Sequence, residues 1–130
     1  MKTDLFFVYG TLKVGGRFAK QFDGDRINSV KAEIDGYDLF NLGTFPGIKP
    51  GVGKVVGELH EYKNTEEVTR AMDSIEGYHP EIRDGMYLRR RVSVRTETGE
   101  VKEANVYVYN FRITEHARKI ESGIWELPKK

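Results

Sequence analysis

The clearest helical pattern in this chain is one stretch, Asn64 to Ile75, set among segments that alternate like strands. Val68, Ala71, Met72 and Ile75 fall at i, i+3, i+4 and i+7 and make a single apolar stripe. Asn64 stands at the N-cap with Glu67 three residues on, the spacing of a capping box, and Gly77 ends the helix. Before it, Asp4–Tyr9 reads as a short buried strand stopping at Gly10, Gly15-Gly16 opens a loop, and Phe18–Phe22 suits a single helical turn. Ser29–Phe40 reads as a strand bent or bulged at Gly36, and Lys54–Tyr62 as another. Between them, Gly43, Pro46, Gly47, Pro50, Gly51 and Gly53 predict a long ordered loop from Asn41 to Gly53. Tyr87–Arg95 and Val101–Phe111, joined through Thr98-Gly99, predict a hairpin. Thr114 is expected to cap a last short helix ending near Gly123, ahead of a tail that carries Trp125. Strands, one main helix, then strands argue for a mixed α+β fold on a largely antiparallel sheet or small barrel.

Length and composition narrow the chemistry. The 130 residues are expected to form a single domain, 1–130. With 21 Lys+Arg against 20 Asp+Glu, the chain lacks the positive excess that favours nucleic acid or a membrane surface, so neither is an expected partner. There is no Cys, which excludes disulfides, thiol catalysis and Cys-based metal sites. The longest apolar run, Leu5–Val8, is far short of the ~20 residues that span a bilayer. Met1–Asp4 has no signal-peptide character, so the expected location is cytoplasmic.

Three features could carry chemistry. Tyr9-Gly10-Thr11-Leu12 ends the first strand, and a Gly there lets successive N–H groups turn toward an anion or serve as an ordinary strand exit. Gly10 and Gly15 have phosphate-loop spacing, but Gly16-Arg17 follow where Lys and Ser/Thr are required, which rejects that reading. Glu76 lies about 80° round the helix from Val68 and about 40° from Met72, at the edge of the stripe. It also sits at the helix C-terminus, where the macrodipole opposes a carboxylate. Both effects raise its pKa toward the useful range for acid/base work, unless the side chain simply snorkels to water. Asp73 falls further round, toward the polar side, and reads as a surface carboxylate; Glu81 is a weaker candidate. Tyr9, Tyr37, Tyr78, Tyr87, Tyr107 and Tyr109 could line a pocket or pack a core.

Other chemistries find less support. His60, His79 and His116 show no metal-ligand spacing and no triad partners, so no metal is expected. Arg89-Arg90-Arg91 divides between strand faces, with Glu97, Glu100 and Glu103 opposite, and reads as a salt-bridged solvent face.

Taken in order, Phe7–Leu12, then Met72-Asp73-Ser74-Ile75-Glu76-Gly77-Tyr78, then Tyr87-Leu88-Arg89 resemble the gamma-glutamylcyclotransferase-like family, which takes in AIG2-like proteins and gamma-glutamylamine cyclotransferases. Tyr37–Phe40, Phe45-Pro46-Gly47, Val56–Leu59, Ala104–Tyr109 and Trp125 extend the resemblance over nearly the whole chain. Met72 stands where the family often has Leu, a volume-conserving change, and Tyr78–Gly85 is variable territory. The resemblance implies a small β-barrel-like sheet with flanking helices and a cavity beside the Tyr-Gly-Thr-Leu loop. It implies Glu76 as catalytic acid/base, with Tyr9, Gly10, Thr11, Leu12, Pro46, Tyr87 and Tyr109 as substrate-binding candidates. The implied reaction converts a small γ-glutamyl amine or amide to 5-oxoproline and free amine, without a cofactor. Two alternatives stay open: a non-catalytic small-molecule-binding or regulatory domain, and removal of a γ-glutamyl protecting group.

Overall fold

The computed structural model of the protein describes residues 5–10, 12–16, 19–43, 45–78, 85–115 and 117–126. Five strands close into a small barrel: β1 (Leu5–Val8), β2 (Arg26–Asn41), β3 (Pro46–Tyr62), β4 (Tyr87–Thr96) and β5 (Val101–Tyr109). Hydrogen bonding runs β3-β1-β5-β4-β2, and a further β2–β3 ladder shuts the ring. Among the described residues of these five strands, β1 and β5 are the parallel neighbours, meeting at Phe6 and Asn105. Among the described residues one α-helix, α1 (Thr65–Glu76), packs outside, and Lys20–Phe22 forms a 3₁₀ turn. No helix among the described residues is long and apolar enough to cross a membrane.

β1 is buried on both faces, which is why it reads as an unbroken apolar run. Phe7 and Tyr9 point into the barrel, among Ile34, Ile48, Val55, Val94 and Val106. Phe6 and Val8 point outward, against Val68 and Met72 of α1 together with Tyr87 and Tyr107. The strand alternation therefore sorts the tyrosines of β4 and β5 onto the face the helix covers. Close approach matters where β3 passes β1: a Cβ on Gly57 would stand 2.2 Å from Val8 O and 3.1 Å from the Tyr9 Cα.

The hairpin of β4 and β5 forms as expected, with Gly99 at positive φ in its turn. The bend at Gly36 is also present: Gly36 has φ +84° and stands opposite the three-residue bulge Gly51-Val52-Gly53, whose Gly53 N–H is held by Asp38 Oδ1 at 3.0 Å.

Three expectations are corrected. The segment from Asn41 to Gly53 is not a long loop, because β2 runs to Asn41 and β3 already begins at Pro46. The Leu42 N–H to Phe45 O bond of 3.0 Å sets the alternation. Positions 46, 48 and 50 then turn their backbone groups away from β2, so Pro46 and Pro50 cost no ladder bond there. The last helix is absent among the described residues; Arg118-Lys119 instead form β6, an edge strand on Phe40 and Asn41. Gly123 accepts Val56 N–H at 2.8 Å, which ties the tail to β3. Asn64 makes no side-chain cap: it adopts φ 54°, and its amide donates to Asp25 Oδ1 at 3.1 Å.

Gly57→Ala should destabilise the protein by about 2 kcal/mol, since backbone rather than a flexible side chain must yield. Urea denaturation checks it.

Candidate active site

Glu76 is the final residue of α1, and the helix stops there for a local reason. Gly77 takes φ 67°, its N–H bonds Ser74 O at 3.3 Å, and Tyr78 N–H reaches back to Asp73 O at 2.8 Å. The last turn holds no basic residue, so the partial negative charge of the helix end is left uncompensated beside Glu76.

The residue is half-buried, and burial of its carboxyl raises the pKa to about 7. Three phenols lie close enough to feel its charge: Tyr9, Tyr87 and Tyr107. Each is raised chiefly by its own burial, with the Glu76 charge adding to it. All three phenol protons are committed elsewhere. Tyr9 donates to Tyr107 O at 2.7 Å, Tyr87 to Pro46 O at 2.5 Å, and Tyr107 to Asp73 Oδ1 at 2.6 Å. Among the described residues no donor is turned toward the Glu76 carboxylate to offset its lost hydration, and its neutral form is favoured.

The other candidates connect to this cluster. A Cβ on Gly10 would lie 2.4 Å from the Pro46 ring, so the loop exit and the start of β3 touch. Tyr87 bonds the Pro46 carbonyl and meets the Tyr109 ring edge-on at 5.7 Å. Lys49 Nζ donates to Tyr109 O at 3.1 Å. Tyr9, Gly10, Pro46, Tyr87 and Tyr109 thus form one contiguous group with Glu76. The Leu12 side chain is buried in the helix-facing core, and Thr11, like Glu81, His79 and His116, lies outside the described residues. Of the remaining tyrosines, Tyr37 packs at the margin of the barrel interior and Tyr78 at the margin of the helix-facing core.

The loop after Gly10 is tied down from behind. Lys13 N–H returns to Gly10 O at 3.0 Å, and Val14 N–H donates to Glu58 Oε1 at 2.8 Å. Burial alone would raise the Glu58 pKa, but the hydrogen bonds from His60 and Val14 bring it below the ordinary value. His60 is fully buried between Glu58 (2.9 Å) and the Tyr62 hydroxyl (2.6 Å).

Sequence reasoning missed Asp73, Arg89 and the partnership between them. Asp73 is not a surface carboxylate: it is 8% exposed and accepts from Arg89 Nε at 3.0 Å. The helical wheel puts it on the polar side, but β4 and β5 cover that side as well. Arg89 accordingly turns inward to the helix, whereas Glu103 pairs with Ser93 at 2.6 Å. The spacing of Tyr87 and Arg89, two apart on one strand face, was the available signal.

A closed five-stranded barrel with one helix, carrying an acid beside a Tyr-Gly strand exit, defines a class. The chain belongs to the AIG2-like gamma-glutamyl cyclotransferase family: residues 6–127 match the family described as "Gamma-glutamyl cyclotransferase, AIG2-like". It is 32% identical over 123 residues to the gamma-glutamylcyclotransferase family protein YtfP of Escherichia coli, across 92% of this chain and 93% of that one. The solution structure of YtfP from Escherichia coli is similar with a TM-score of 0.61, over 93% of this chain and 95% of that one. A crystal structure of an AIG2-like protein from Mus musculus gives a TM-score of 0.71 at 25% identity, over 100% of this chain and 99% of that one.

The raised Glu76 pKa has a definite sign in stability. An acid titrating near 7 when folded and near 4.5 in its ordinary state binds the extra proton only in the native protein, so stability falls as pH rises between those values. Glu76→Gln should therefore match the wild type at pH 4 and exceed it at pH 8 by up to about 3 kcal/mol, at about 1.4 kcal/mol per unit. Urea titrations at the two pH values measure the difference.

Proposed function

We propose that this protein is a single-domain, metal-independent cyclotransferase that converts a small γ-glutamyl amine or amide to 5-oxoproline and the free amine. The observation that carries the reading is Glu76: a carboxyl whose pKa is raised to about 7, among phenols whose protons point elsewhere. Membership of the family supports the substrate class.

The substrate carries its own nucleophile, the α-amino group, separated by three carbons from the γ-carbonyl carbon, so that its attack closes a five-membered ring. Holding the chain folded converts the attack into an oriented unimolecular step, worth several kcal/mol. The α-ammonium first gives a proton to the Glu76 carboxylate. The freed amine attacks the γ-carbonyl, forming the ring C–N bond and a tetrahedral oxyanion. As that species collapses, the bond to the leaving nitrogen breaks and Glu76 returns the proton to it. The second proton, shed by the ring nitrogen, leaves with the released amine, which departs as an ammonium. An acid with pKa near the working pH suits both halves of this exchange. The backbone amides of Gly10, Thr11 and Leu12 are assigned to the substrate's α-carboxylate or the developing oxyanion; one well-aimed donor is typically worth ~3 kcal/mol. Tyr9, Pro46, Tyr87 and Tyr109 are assigned to the walls that hold the substrate folded.

Incubation with a panel of γ-glutamyl amines and dipeptides should release 5-oxoproline, read by mass spectrometry, and Glu76→Gln should lower kcat by at least about 10³-fold in a folded protein. Because Glu76 must be ionised to accept the first proton, kcat/KM should rise with pH through about 7. Free glutamate as product, or undiminished turnover by Glu76→Gln, would contradict the assignment, and binding without turnover would mark a non-catalytic domain.

A further inference from the structure

Asp73 stands one turn before Glu76, and its contacts go beyond those of a residue that only stabilises the helix. Its carboxylate accepts from the Tyr107 hydroxyl on β5 at 2.6 Å and from Arg89 Nε and Nη2 on β4 at 3.0 and 3.4 Å. Its carbonyl accepts the N–H groups of Gly77 and Tyr78 that stop α1. The Arg89 guanidinium also lies over the Tyr78 ring, 5.4 Å from its centroid, just past that stop. One residue thus joins two strands to the terminal turn of the helix, and the last residue of that turn is Glu76.

We propose that Asp73, with Arg89 and Tyr107, is a positioning clamp that fixes the Glu76-bearing turn against β4 and β5 and holds the carboxyl in place for proton transfer. The inference rests on the role given to Glu76 above and deepens it. A two-contact Arg–carboxylate pair fixes orientation as well as distance. A buried ion pair adds little net stability compared with apolar packing, so geometry is the stronger account of its presence here.

The clamp also has an electrostatic side. Among the described residues, Tyr9 at the exit of β1, Tyr87 of β4 and Tyr107 of β5 feel the Glu76 charge, with Asp73 on its own helix and Arg89 of β4 next to them on Tyr107. The Tyr107 hydroxyl feels the charges of Asp73, Glu76 and Arg89 together, which places all three in one neighbourhood. Asp73 and Arg89 pair with one another at 3.0 Å, and burial is the cause that raises the Glu76 pKa. Removing the Asp73 charge leaves Arg89 unmatched, and an unmatched cation favours the ionised carboxylate.

In steady-state kinetics on the γ-glutamyl compound turned over by the wild type, Asp73→Asn should lower kcat about 10- to 100-fold with KM changed less than about threefold. The acid limb of its pH–rate profile should move down by about one unit. Adding Arg89→Met should return the limb to its wild-type position without restoring kcat. Tyr107→Phe keeps the ion pair and should lower kcat about threefold to tenfold with the limb unmoved; it decides the matter should Asp73→Asn fail to fold. A substrate-free arm separates this inference from the proposed reaction. The stability gained by Glu76→Gln at pH 8 should shrink by at least about half in the Asp73→Asn background, read as a urea double-mutant cycle. A folded Asp73→Asn protein with unchanged kcat, an unmoved limb and an undiminished cycle would overturn the clamp. A wild type that turns over no γ-glutamyl compound would overturn the reaction, while the cycle still decides the clamp.

Discussion

A carboxylate brought among buried rings loses hydration that only donors or cations can replace, and among the described residues no hydrogen-bond donor is directed at Glu76. The helix dipole opposes its charge, the last turn carries no basic residue, and the nearest phenols direct their protons to Tyr107 O, Pro46 O and Asp73. The result is a group balanced between its two protonation states near neutral pH. A chain selected for stability alone would place Lys or Arg in that turn, and the cost of Glu76 there is consistent with the acid/base role proposed for it.

The barrel explains how these side chains converge without belonging to one motif. Alternation along β4 and β5 sends Val94, Val106 and Val108 inward and Tyr87, Arg89 and Tyr107 outward, beneath the helix. Parallel pairing of β1 with β5 sets the Tyr9 hydroxyl on the Tyr107 carbonyl. The N–H of Ile48 faces that same hydroxyl because alternate residues of early β3 turn away from β2. The Gly10 loop, in turn, is anchored from behind by Glu58 and the buried His60. Acid, phenols and loop are therefore held by four different strands and one helix end.

Much of this was legible in the residues. The apolar stripe of α1, the stop at Gly77, the hairpin through Gly99 and the bulge at Gly36 all follow from local pattern and turn chemistry, and Glu76 stood out as a carboxylate where helix rules disfavour one. What could not be read depended on tertiary register. Pro46, Gly47 and Pro50 look like loop residues until the parity of the β2 ladder shows that the prolines need no partner there. Arg118-Lys119 gained an edge strand only because the end of β2 was free to receive it. Asp73 was assigned to solvent because a helical wheel knows only one buried face, whereas β4 and β5 cover a second side of this helix.

The most direct measurement is the titration of the Glu76 carboxyl carbon by NMR in the free protein, assigned by comparison with Glu76→Gln. A midpoint of about 7 is expected from its burial. A midpoint at the ordinary glutamate value of about 4 would mean a well-hydrated carboxylate, and the acid/base role assigned to this residue would fall with it.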